Sequence, residues 1–193
     1  MPIIPASQRH SAAVFFDRDG VLVETVTTPD GKRAAWSQEE FRVIPGAREA
    51  VERATAAGYM AIVVTNQPDV ALGRLERREA EHLNALLLSS IPTLTGVYAC
   101  FHAEIDGCPC RKPRAGLLLE AADQQDIDLD ASWLIGDRWV DITAGQTAGC
   151  RTILVQHADS WSPTTSGFPD PALRPDLVVA EVEGAVEAIL KST

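Results

Sequence analysis

The side chains able to do chemistry fall into five clusters, and their spacing says more than their number. Asp17-Arg18-Asp19-Gly20 sets two carboxylates two residues apart, directly after the apolar run Ala12–Phe16. Such a pair can divide labour, one acid serving as nucleophile or metal ligand while the other carries a proton. The plainer alternative is a polar turn with a helix-capping aspartate. Thr65-Asn66-Gln67 follows a second apolar run and offers a hydroxyl, an amide and free backbone N–H groups, a cradle for phosphate oxygens. Thr-Asn is also ordinary turn chemistry. In Arg111-Lys112-Pro113 a lysine precedes the helix starting near Gly116, adding charge where the helix dipole already favours an anion. Alone, that pair reads more readily as a solvated basic pair. Gly136-Asp137-Arg138, with Asp141 four residues beyond Asp137, supplies a carboxylate that would face the first pair and complete an oxygen-rich Mg²⁺ site. Either aspartate singly could instead cap the next helix.

The fifth cluster is Cys100, His102, Cys108 and Cys110. Three thiolates and one imidazole on a short loop make a closed tetrahedral Zn²⁺ site, structural because no position remains for water. A disulfide competes, but Cys108 and Cys110 are too close across Pro109 to bridge comfortably. Cys150 has no partner in the sequence and is expected in the core.

These clusters need a scaffold that brings them together. Short β-branched or aromatic runs alternate with helical stretches along the chain. Strands are expected at Ala12–Phe16, Tyr59–Thr65, Gly96–Cys100, Ser132–Ile135, Thr152–Val155 and Leu177–Val179. Helices are expected from Pro45-Gly46 to Ala57 and over Glu76–Leu88, Gly116–Gln125, Val140–Ala148 and Val182–Leu190. Strands that are solid apolar runs, separated by helices, predict a parallel sheet covered on both faces: a Rossmann-like, doubly wound α/β fold. Ligands in such sheets sit beyond the carboxyl ends of the strands, where the acid pair, the hydroxyl and Asp137 all fall. Glu24–Arg42 and Asp159–Pro175 lack periodicity; the second, rich in Pro, Ser and Thr, reads as a surface loop.

Length and charge narrow the partners. The 193 residues suit one domain, 1–193, and 17 basic against 27 acidic side chains give a net charge of −10. A surface this acidic disfavours nucleic acid and anionic membranes, but leaves room for a small phosphorylated metabolite at a local cluster of cations. Apolar runs are too short to span a bilayer. Met1–Arg9 lacks the pattern of a signal peptide, so the cytoplasm is expected.

The ordered set of acid pair, hydroxyl, lysine and acid resembles the haloacid dehalogenase-like phosphohydrolases over about Val14–Val155. The resemblance implies that Asp17 is the nucleophile that becomes an aspartyl-phosphate. Asp19 would then be the acid that protonates the leaving group and activates water. Thr65, with Asn66, and Lys112 would hold the phosphoryl group. Mg²⁺ would be bound by Asp17, the Asp19 backbone carbonyl and Asp137, with Asp141 and Arg138 standing behind. The zinc loop running into Arg111-Lys112-Pro113 narrows the resemblance to heptose-1,7-bisphosphate 7-phosphatases and histidinol-phosphate phosphatases, a branch without a large cap domain. There, Arg111 inherits a substrate contact. The rival classes are a non-catalytic phospho-acceptor domain, which has no use for Asp19, and a zinc-bearing interaction module, which leaves Asp17, Asp19 and Asp137 unexplained.

Three departures bear on the substrate. Pro68-Asp69-Val70-Ala71-Leu72-Gly73 carries an acid and lacks the branch's arginine, which predicts a weaker preference for a bisphosphate. The zinc loop has five residues between His102 and Cys108, shorter than usual, so one pocket wall is trimmed. Arg138 stands where lysine is frequent.

Overall fold

The computed structural model describes residues 11–29 and 31–192; the expectation for Met1–Arg9 lies outside them. Strand β1 (Ala13–Phe16) is buried on both sides, with Val14 and Phe16 facing one core and Ala13 and Phe15 the other. β4 (Met60–Asn66) and β6 (Trp133–Gly136) flank it, both parallel, and β5 (Gly96–Cys100), β7 (Arg151–Val155) and β8 (Leu177–Val179) extend the sheet outward in the order β5-β4-β1-β6-β7-β8. The register is tight at the centre: Phe16 pairs with Val63 on one side and Ile135 on the other.

Helices cover both faces, as solid apolar strands require. On one face lie α1 (Ala47–Ala56), α2 (Arg77–Ser90) and α5 (Val182–Lys191); α3 (Gly116–Gln125) and α4 (Trp139–Ala148) cover the other. α5 illustrates the sequence logic, with Val182, Ala185, Val186 and Ile189 forming one buried stripe at helical spacing. α2 has such a stripe too, but Asn84 interrupts it: Ala80, Leu83, Asn84 and Leu87 are its buried residues. Cys150 sits in the second core, where burial, with Asp130 adding, pushes its thiol up to about 12 and leaves it inert.

The differences from expectation are in the connections. Glu24–Arg42 contains an antiparallel hairpin, β2 (Val26–Thr28) with β3 (Gly31–Arg33), whose three-residue strands are too short to show alternation. A hairpin, and no cap domain, is what separates β1 from α1. Asp159–Pro175 is only partly a surface loop. Ser160 is fully buried, its carbonyl accepting from the Trp139 N–H at the start of α4. Among the described residues no helix is long and apolar enough to cross a membrane.

Candidate active site

β1 and β6 end side by side, and the Asp17 N–H donates to the Ile135 carbonyl at 2.8 Å, so the chain leaves both strands at one place. Two glycines make that closeness possible. Gly20 has φ 87°, and a Cβ there would come within 2.4 Å of Asp137 Oδ2; one on Gly136 would meet the Asp141 Cβ at 2.2 Å.

Lys112 lies at the centre with 1 % exposure. Its Nζ donates to the Val64 carbonyl at 2.8 Å and forms ion pairs with Asp141 Oδ1 at 2.6 Å and Asp17 Oδ1 at 2.9 Å. Burial opposes its charge, but Asp141 and Asp17 outweigh that and hold its pKa above the usual lysine range. The segment carrying it is pinned to β4 by Asn66, whose carboxamide donates to the Lys112 carbonyl at 2.9 Å and accepts from the Lys112 N–H at 3.0 Å. Asn66 lines the cavity, yet those two bonds make it an anchor for the lysine.

The carboxylates share one small volume. Oxygens of Asp17, Asp137 and Asp141 lie within 4.8 Å of one another, a group that could hold a metal ion. Burial, offset by Lys112 and reinforced by Asp141 and Asp19, pushes Asp17 up to about 7. Burial and the charges of Asp17 and Asp141 raise Asp137 well above the carboxylate range, and Asp137 Oδ1 is buried with no hydrogen-bond partner. Buried acids crowded around one lysine, with an oxygen unsatisfied, fit a hard divalent cation such as Mg²⁺. Asp19 is across the cavity, its carboxylate held by Gln67 Nε2 at 2.7 Å and by Arg18. The same Gln67 amide donates to Thr65 Oγ1 at 2.9 Å.

The cavity above these groups holds about 330 Å³. Its outer wall comes from three separate segments: Lys32 and Arg33 on the hairpin, Arg111 after the cysteine loop, and Asp159, Thr164 and Ser166 from the late loop. Arg111 is mostly buried, donating to Glu104 Oε2 at 3.2 Å and Thr165 Oγ1 at 3.1 Å. Glu104 also binds Arg114 at 3.0 Å and accepts from Ser166 Oγ at 2.7 Å, tying the cysteine loop to the late loop. Asp159 joins Arg138 (3.3 Å) to Lys32 (3.5 Å). Asp69 is not a bare negative charge. Trp36 Nε1 donates to it at 2.9 Å, and Arg74, one residue past the stretch that lacks an arginine, lies 3.3 Å away and lines the cavity. The weaker bisphosphate preference expected from Asp69 thus loses part of its electrostatic basis.

Beside the cavity, Cys100, His102, Cys108 and Cys110 bring their donor atoms within 4.8 Å of one another, and all three thiols are free. Cys110 Sγ is 3.2 Å from Cys100 Sγ and 3.3 Å from both Cys108 Sγ and His102 Nδ1. The Cys100–Cys108 and Cys100–His102 edges, 3.6 and 3.7 Å, approach the edge of about 3.8 Å of a tetrahedron with Zn–S bonds of about 2.3 Å, and the edges to Cys110 are about half an ångström shorter. Sequence reasoning missed the outer network: Glu104, Trp36 and Asp159 have partners far away in the chain, which no local pattern reveals.

The model of the haloacid dehalogenase-like hydrolases matches residues 11–146 of this chain. The chain belongs to that family. Within it, the hydrolase is 32% identical over 148 residues to the D-glycero-β-D-manno-heptose-1,7-bisphosphate 7-phosphatase of Helicobacter pylori, covering 74% of this chain and 82% of the relative. It is 33% identical over 147 residues to the α-heptose-1,7-bisphosphate 7-phosphatase of Campylobacter jejuni, covering 74% and 81%. Among solved structures it resembles the D,D-heptose 1,7-bisphosphate phosphatase of B. bronchiseptica, complexed with magnesium and phosphate. That likeness has a TM-score of 0.78 and 25% identity, and covers 94% of this chain and 99% of the other.

Proposed function

We propose that this hydrolase is a Mg²⁺-dependent phosphomonoesterase that removes the 7-phosphate of D-glycero-D-manno-heptose 1,7-bisphosphate through an aspartyl-phosphate. The observation carrying the reading is the Lys112 clamp, which fixes Asp17 beside two further buried carboxylates at the end of β1. Asp17, the Asp19 backbone carbonyl and Asp137 would hold Mg²⁺, and the ion would supply positive charge against the phosphoryl oxygens. Lys112 holds Asp17 in place and adds positive charge of its own, lowering the repulsion between carboxylate and phosphate. An Asp17 oxygen attacks phosphorus and the P–O bond to the sugar breaks, the departing oxygen taking a proton from Asp19. Water then attacks the aspartyl-phosphate, giving its proton to Asp19; the bond to Asp17 breaks and phosphate leaves.

Zn²⁺ in the Cys100, His102, Cys108 and Cys110 cluster would stiffen the loop that ends in Arg111 and Lys112. The Asp17–Lys112 side of the cavity would take the transferring phosphoryl group, and Arg111, Lys32 and Arg138 would meet the rest of the substrate. Free thiols in that cluster suit a reducing compartment, consistent with the cytoplasm. The relatives' names divide between α and β anomers, so both belong in the assay. Purified protein with Mg²⁺ is tested on both heptose 1,7-bisphosphates, histidinol phosphate and common sugar monophosphates. A kcat/KM for either bisphosphate at least about tenfold above every other compound is expected. A preference for histidinol phosphate would replace this substrate with the runner-up, and no turnover of any would end the phosphatase reading.

A further inference from the structure

Arg18 stands between the two aspartates, yet its side chain is 1 % exposed, an unusual place for an arginine. It does not turn to solvent. Its Nε donates to Asp19 Oδ2 at 3.1 Å and its Nη2 to Asp19 Oδ1 at 3.2 Å, a fork that engages both oxygens and fixes the carboxylate plane. The remaining arm, Nη1, donates at 2.7 Å to Oδ1 of Asn84, the one polar residue in the buried stripe of α2. The backbone is built around the same residue: the Leu22 and Val23 N–H groups both donate to the Arg18 carbonyl. A polar side chain in an apolar stripe costs stability unless it is used, and here its bond runs to the fork on Asp19.

We propose that Arg18, backed by Asn84, is a positioning residue that holds Asp19 for the second half of the reaction, hydrolysis of the phosphoenzyme. The inference rests on the covalent mechanism proposed above. In the first half, the leaving oxygen is delivered to Asp19 by its own bond to the phosphoryl group. The attacking water has no such tether. Only the placement of the base that takes its proton orients it, as its oxygen bonds to phosphorus and the Asp17–phosphorus bond breaks. Without the fork, Asp19 keeps only the bond from Gln67 to one oxygen and can turn about it, and a carboxylate that turns loses more in the second half than in the first.

The test uses the full-length, Mg²⁺-supplied protein and 4-nitrophenyl phosphate, whose leaving group departs without needing a proton. Arg18→Lys keeps the charge and loses the fork; Asn84→Ala keeps the arginine and removes its backing. In both, kcat and KM should fall together by about tenfold, with kcat/KM changed less than about twofold, while acid-quenched phosphoenzyme rises toward one per chain. A fall in kcat/KM with no rise in phosphoenzyme would mark a merely structural arginine and overturn the inference. Should Arg18→Lys fail to fold, Asn84→Ala decides by the same readout. Absence of trapped phosphoenzyme in every protein, wild type included and indistinguishable from Asp17→Asn, would overturn the covalent mechanism itself.

Discussion

The floor and the mouth of the cavity are built on different principles. The floor consists of Asp17, Asp137, Asp141 and Lys112, each within a few residues of a strand or helix end and each buried. Its geometry is imposed by the sheet: β1 and β6 must pair, so their exits must meet. The mouth is assembled by polar contacts between segments with no sheet in common, an ion pair from the hairpin to the late loop through Lys32 and Asp159, and a hydrogen bond from the late loop to the cysteine loop through Ser166 and Glu104. A floor whose backbone is set by the pairing of β1 and β6 has little room to shift. A mouth held by exchangeable polar contacts can be retuned, which suits a division between reaction and specificity.

The strongest way to break this contrast is at the floor. Asp17→Asn should lower turnover by about four orders of magnitude or more, since an amide does not attack phosphorus. Circular dichroism should show an unchanged fold; residual activity above that level in a pure sample would contradict the assignment. Lys112→Ala should impair every phosphomonoester alike. By leaving Asp17 and Asp141 uncompensated it should also cost about 3–5 kcal/mol in urea unfolding.

At the mouth the effects should be smaller and selective. Arg111→Ala should reduce kcat/KM for a bisphosphate about tenfold or more and for a monophosphate much less. Equal losses on both would show that Arg111 is not a specificity residue. Cys108→Ser should abolish stoichiometric zinc, measured by elemental analysis, and lower Tm by about 2–4 °C for each kcal/mol lost. Full zinc occupancy in that variant would refute the four-ligand site.

The smallest effect is a pH dependence confined to the floor. In Mg²⁺-free protein, Asp17 and Asp137 are raised above their unfolded values, so the folded chain binds more protons than the unfolded one from about pH 4 upward. Stability should therefore fall as pH rises through about 7, the level to which Asp17 is pushed. Tm should be higher at pH 5 than at pH 7.5, and Mg²⁺ should narrow the gap by favouring the ionised acids. The groups facing them, Lys112, Asp141, Asp19 and Arg138, are present in both conditions.

How much of this was legible in the sequence follows the same boundary. The strands and helices of the floor were readable within a residue or two, because solid apolar runs and helical stripes are local signals: Gly96–Cys100 and Gly116–Gln125 coincide with β5 and α3. The order of polar clusters at strand ends was readable too. The hairpin Val26–Arg33 was not, since three-residue strands carry no period, and neither was the part of Asp159–Pro175 that folds inward. Arg18 and Asn84 were hidden for another reason. Their partner is 66 positions away, and a buried arginine looks like a surface one until the helix that receives it is in place.

The two glycines at the strand exits set how this chain can drift over time. A library randomised at Gly20 or Gly136 should return glycine almost alone, because any Cβ collides with Asp137 or Asp141 and would push that acid out of its place in the site. Exposed Leu72 and Phe168 should accept most replacements. Lineages descending from this protein are therefore free to explore new mouths, while the Asp17–Gly20 turn and the acids packed against it can change only together.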